Sequence, residues 1–134
     1  MRKELDELLC TRYPQIFAER NRSIAESCMG FGFACGDGWF TLIDTLCARL
    51  QFETDRNGAP QVVAAQVKEK FGGLRFYVRH ATDQQSGMID MAEALSAHIC
   101  EVCGHPGQVL VHGVAMTRCP EHTPEGAITH DERK

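Results

Sequence analysis

Three cysteines and one histidine near the end of the chain carry the most explicit chemistry. Cys100-x-x-Cys103, fifteen intervening residues and then Cys119-x-x-His122 form two pairs at the spacing of a four-ligand zinc site. Each pair spans a tight turn on which two side chains converge, and Gly104 lets the backbone curl after the second cysteine. Four protein ligands complete a tetrahedron and leave no place for a reactive water, so the expected cofactor is one structural Zn(II) ion. A Cys3His set around Zn(II) has a net charge of about −1, three thiolates against a dication. His98, His105 and His112 are substitute ligands by type, with His112 better read as a solvated turn residue. The other cysteines, Cys10, Cys28, Cys35 and Cys47, have no partner at ligand spacing. Cys47 falls on the apolar face of a helix, and Cys28 and Cys35 flank a glycine-rich stretch with core, second-metal and redox roles all open.

A second constellation lies in QVVAAQVKEKFGGLRFYVRH, residues 61–80. Gly72-Gly73 reads as the two-residue turn of a β-hairpin, pairing Lys70 with Arg75, Lys68 with Tyr77 and Val67 with Val78. Alternation then sorts Val67, Phe71, Leu74, Phe76 and Val78 onto one face and Lys68, Lys70, Arg75, Tyr77 and Arg79 onto the other. Lys70 opposite Arg75 is a like-charge pair that an anion would relieve. Cations interleaved with an aromatic suit phosphates, stacked bases or an acidic protein surface, while a solvated outer face explains them equally well. Glu69, on the apolar face, needs either a sheet margin or a cation such as His80 or an N-terminal arginine.

Catalytic signatures are thin. There is no GxSxG, P-loop or HExxH, and the glycines of FGFACGDG lack the strand and helix of a nucleotide loop. His112 with Glu121 is the pair a small metal-dependent hydrolase would need; Asp37 and Asp44 read more simply as a helix cap and a solvated helix face.

The elements that position these residues follow from length and periodicity. A chain of 134 residues with 43% hydrophobic and 24% charged residues forms one domain with a small metal-held addition. The opening MRKELDELLC is charged and amphipathic, unlike a leader peptide, and points to a reducing cytoplasmic setting. Leu5, Leu8 and Leu9 predict a helix over 2–9; Ile16 and Phe17 are anchors; Gly30, Gly32, Gly36 and Gly38 predict a turn-rich connection. A helix of three to four turns follows from Trp39 to Leu50 with Asp37 as its cap, then a loop over 53–60. Met88, Met91, Ala92, Leu95 and Ile99 predict an amphipathic helix running into the first cysteine pair. Short strands at 109–111 and 114–116 bracket His112-Gly113, and the tail from Thr123 reads as frayed. The expected fold is α+β: helices packed on a β-hairpin (1–98), then a Cys3His zinc ribbon or treble-clef-like element (99–134). Net charge is −4, distributed as 11 basic and 10 acidic residues over 1–79 against 3 and 8 over 80–134, which disfavours binding DNA by charge alone.

Four blocks, CGDGWF (35–40), QVKEKFGGLRFYV (66–78), ICEVCGHPG (99–107) and CPEH (119–122), together resemble a family of small, functionally uncharacterised bacteriophage and prophage proteins. The likeness runs from about residue 12 to 122, with Val114 and Arg118 standing where that family tends to have an aromatic and a leucine. It implies a phage context, which would place the cytoplasmic setting in a bacterial host, and a zinc site, and it does not supply an activity. The expectation is a non-catalytic zinc-binding protein with a host or phage protein as partner, opposing a host defence or regulatory component. Nucleic-acid or nucleotide binding through the basic hairpin face is the alternative, and a small metal-dependent hydrolase the second.

Overall fold

The computed structural model describes residues 1–130. Within them the chain is a mixed α and β protein with two small sheets. Helix α1 (Lys3–Arg12) buries Leu9 and stops at Tyr13, ahead of Pro14, which cannot continue a helix. The Tyr13 hydroxyl donates to Asp44, 2.7 Å to the carboxylate and 3.0 Å to the carbonyl, and so ties α1 to the second helix. Ile16 and Phe17 are buried anchors, and the Phe17 ring meets Phe33 edge-on at 4.9 Å.

Helix α2 (Phe40–Asn57) is longer than expected and absorbs most of the stretch read as a loop. Glu53 is the reason: its buried carboxylate accepts from Asn57 one turn on, and the helix ends only at Gly58, whose φ of 75° supplies the left-handed stop. Asp37 is not its cap. It opens a short 3-10 turn, Asp37–Trp39, and accepts the Arg2 backbone N–H at 2.8 Å, so that Trp39 takes the N-cap position.

The first sheet has the order β1 (Phe33–Ala34), β2 (Ala64–Lys70), β3 (Gly73–Val78), with β1 parallel to β2. The hairpin turns at Phe71-Gly72, one residue earlier than expected, with φ of 53° and 86°. Lys68 therefore faces Arg75, Val67 faces Phe76 and Lys70 faces Gly73. The partner moves by two residues, an even step, so both faces keep their members within the strands. Phe71 is the exception and stands 78% exposed at the tip. Among the described residues Glu69 finds no cation; its carboxylate accepts the Gly72 N–H at 2.6 Å and caps the turn.

Helix α3 (Asp83–Ser96) begins in a capping box of Thr82 and Gln85. Its buried face is Gln85, Ile89, Ala92 and Ser96, whereas Met91 is 63% and Leu95 44% exposed, contrary to the apolar stripe expected. The edge strand decides this rotation. Leu74 N–H donates to Ser96 Oγ and Phe76 N–H to the Glu93 carboxylate, both at 2.8 Å, so α3 turns polar groups toward backbone donors that would otherwise lack partners. The second sheet has the order β5 (Val114–Arg118), β4 (Gln108–His112), β6 (Ile128–Thr129). The tail is thus not frayed from Thr123: β6 pairs with Leu110 and Val111, while 131–134 lie outside the described residues. Among the described residues no helix is long and apolar enough to cross a membrane.

Candidate metal centre

Cys100, Cys103, Cys119 and His122 converge, with their ligand atoms all within 4.8 Å of one another. Cys103 Sγ lies 3.6 Å from Cys119 Sγ, and His122 Nδ1 lies 3.2 Å from Cys119 Sγ and 3.7 Å from Cys100 Sγ. A tetrahedral ion with metal–sulfur bonds of about 2.3 Å requires edges of roughly 3.5–3.8 Å, close to these three separations, so the four donors could hold one small cation. Two of the cysteines, Cys100 and Cys119, are buried, and Cys103 is exposed.

Two turns build the cluster. Gly104, at φ 82°, closes the first by donating to the Cys100 carbonyl, and Cys100 N–H donates to the His105 carbonyl. The second is the 3-10 turn Pro120–His122, which swings His122 back over Cys119. Burial opposes ionisation of Cys100, but N–H groups of Cys119, Cys103 and Val102 outweigh it and hold the thiol down to about 6. At Cys103 the His105 N–H favours the thiolate, yet burial and the facing sulfurs push it up. Three thiolates this close repel one another, and a dication is what would relieve them.

The body of the protein grips the first turn largely through its backbone, with the Glu101 carboxylate and the Trp39 indole as the side chains involved. Gly38 N–H donates to the Glu101 carbonyl at 2.8 Å, Gly36 N–H to the Glu101 carboxylate at 2.8 Å, and Trp39 Nε1 to the Ile99 carbonyl at 2.9 Å. The approach is close enough that a Cβ on Gly38 would sit 2.1 Å from the Cys100 oxygen, and one on Gly36 2.3 Å from the Glu101 oxygen. From the other side the hairpin tip lies on β5, where Thr117 Oγ1 donates to the Gly72 carbonyl at 2.6 Å. Arg118 closes the ring by pairing with Glu101 at 3.4 Å. Sequence reasoning missed these supports, although four glycines crowded ahead of one tryptophan were a sign of close backbone approach.

The hairpin's outer face is less open than its composition suggested. Arg79 lies beyond β3, and its guanidinium makes two bonds to the nearly buried Glu19 carboxylate, at 2.7 and 3.1 Å. Those bonds and the Ser27 hydroxyl hold the Glu19 carboxyl down to about 2. Arg75 donates to the Leu74 carbonyl at 2.9 Å. Lys68 is half-buried; Lys70 and Tyr77 are exposed, with the Lys70 ammonium 5.6 Å from the centre of the Phe71 ring. The like-charge pair is therefore Lys68 with Arg75, and Lys70 does not face Arg75.

His112 and Glu121 do not form a catalytic pair. β4 carries His112 to the far end of its hairpin, about 13 Å of strand from the metal end, whereas Glu121 stays in the second turn. His98 and His105 are outside the ligand cluster. Cys47 is core, Cys35 is buried with its thiol pushed up to about 12 by that burial, and Cys28 is exposed. Comparison with protein-family models, with curated proteins and with solved structures finds no match.

Proposed function

We propose that the chain is a zinc-stapled, non-catalytic binding protein of the phage type its four sequence blocks resemble, with a protein as its partner in the bacterial cytoplasm. Closure of the donor set supports this reading: four protein ligands would complete a tetrahedron around one ion, and the backbone around them is locked to the GDGW segment and the hairpin tip. Such an ion acts on architecture. The strand hairpin between the two cysteine turns, with a 3-10 turn and no longer helix after the second, is closer to a zinc ribbon than to a treble clef.

The contact surface we propose is the hairpin's outer face with its tip: Lys68, Lys70, Tyr77 and the exposed Phe71. Phe71 sits at positive φ, where a bulky side chain costs about 1 kcal/mol, and its ring contributes little to the core. That combination suits a contact made outside the molecule. With Arg79 neutralised by Glu19, three cations, Lys68, Lys70 and Arg75, remain on this face of a molecule of net charge −4, which is little for a phosphate backbone and sufficient for an acidic protein patch.

The test is affinity capture from host lysate with wild-type protein and a Lys70→Glu, Phe71→Ala variant, beside titration of a single-stranded oligonucleotide. The reading expects a discrete protein captured by wild type and lost by the variant. Oligonucleotide binding that falls steeply with salt and is lost in the same variant would replace it with the nucleic-acid reading. Less than one zinc per purified chain would remove the staple.

A further inference from the structure

α2 and α3 are antiparallel. Trp39 at the start of α2 bonds the chain just past the end of α3, and Gln85 at the start of α3 donates to the Pro60 carbonyl just past the end of α2. On the side away from the sheet their faces leave an open furrow of about 420 Å³, bordered by Leu42, Leu46, Met88, Met91 and Leu95. Its two walls run from Leu42 to Arg49 and from Gly87 to Leu95, each about two turns or roughly 10–12 Å long. Nothing among the described residues covers it, and Met91 and Leu95 leave much of their apolar surface in water.

Two details indicate what fills it. Gly87 lies in the furrow wall, and a Cβ there would meet nothing within 4 Å. Glycine within a helix is destabilising against alanine, and among the described residues no neighbour needs the space. The gap lets another backbone come close, as a third helix laid along two antiparallel ones would. Among the described residues the charged side chain that lines the furrow is Arg49; Glu53, one turn on, is buried and bonded to Asn57. The Arg49 guanidinium lies 4.3 Å from the centre of the Phe52 ring, and Arg56 follows two turns later on the same helix face. Among the described residues neither arginine is in an ion pair.

We propose that the furrow docks an acidic amphipathic helix of a protein partner, with apolar anchors over two turns and a carboxylate set against Arg49. The proposal rests on the binding-protein reading and adds the chemistry of the partner's segment, at a surface separate from the hairpin face.

The test uses the metal-loaded full chain and a fluorescein-labelled synthetic helix of about 20 residues, with a leucine stripe flanked by glutamates, against the same peptide with lysines in their place. Fluorescence anisotropy is expected to show the acidic peptide binding at least about tenfold tighter. Met91→Lys should remove binding with little change in unfolding midpoint, because Met91 is 63% exposed. Arg49→Glu should invert the preference between the peptides. The Lys70→Glu, Phe71→Ala variant should bind the acidic peptide as wild type does, which separates failure here from failure at the hairpin. Equal binding of both peptides, binding of neither, or indifference to Arg49→Glu would overturn the proposal. So would a homodimer in light scattering that Met91→Lys dissolves, which would assign the furrow to a second copy.

Discussion

Gly38→Ala tests most directly whether the metal centre and the body are one structure. A Cβ at this position would lie 2.1 Å from the Cys100 carbonyl oxygen and 2.6 Å from the Glu101 carbonyl carbon. Both are backbone atoms of the turn that carries two metal ligands, so no flexible side chain can move aside. Accommodating the methyl means lifting the turn off the Asp37–Trp39 segment ahead of α2, which strains packing by about 1–3 kcal/mol. The bond from Gly38 N–H to Glu101 is lost for about 1 kcal/mol more, and the Trp39 indole bond to Ile99 is put at risk. A total of about 3 kcal/mol corresponds to a fall in melting temperature of about 10 °C at this chain length. Because the ligands meet only when the turn is seated, part of the same free energy emerges as weaker metal binding, about tenfold for each 1.4 kcal/mol. The assay is urea unfolding of metal-loaded protein, with metal affinity read by competition against a chromophoric chelator. Gly58→Ala is the control. Gly58 has φ of 75° but nothing within 4 Å of a Cβ, so its cost is backbone strain of about 1 kcal/mol with no loss of metal affinity. Equal destabilisation by the two substitutions, or unchanged metal affinity in Gly38→Ala, would refute the view that glycine is required there for close backbone contact.

Three other outcomes are expected. Purified protein should hold one zinc per chain by elemental analysis, and Cys103→Ser or chelation should loosen the chain from Ile99 onward, read as faster amide exchange in β4 and β5. Stability should fall in acid through Glu19: its folded carboxyl titrates at about 2 against an ordinary 4.5, so its contribution is complete above pH 4.5 and is lost as pH falls from there toward 2. Allowing for the half-exposed Arg79 that contribution is about 1–2 kcal/mol, and Glu19→Gln should flatten this part of the pH–stability curve. Phe71→Asn should stabilise the hairpin by about 0.5–1 kcal/mol in thermal melts, since asparagine tolerates positive φ, while it weakens capture of the protein partner.

The two cysteine pairs, the strands between them, and the hairpin with its alternating faces were all legible from residue type and spacing, because ligand turns and strand pleats are local geometries. The hairpin's faces withstood an error in its turn for a simple reason: side-chain direction depends only on whether the register moves by an odd or even step. What local pattern could not supply was decided by backbone groups needing partners from elsewhere in the chain. The turn settled on Phe71-Gly72 because Glu69 and Thr117 hold it there. α3 turned Ser96 and Glu93 inward, against its own apolar stripe, because the edge of β3 needed acceptors. The same rotation left Met91 and Leu95 in an open furrow. α2 outran its apolar periodicity because Glu53 bonded Asn57 and Gly58 lay just beyond. Arg79, counted among the surface cations by composition, is claimed by Glu19 sixty positions earlier. Sequence alone thus determined which side chains could hold a metal. Tertiary structure decided that glycines far from them, at 36, 38 and 72, make the seat on which that site rests, since close contact between backbones leaves no periodic trace in a sequence.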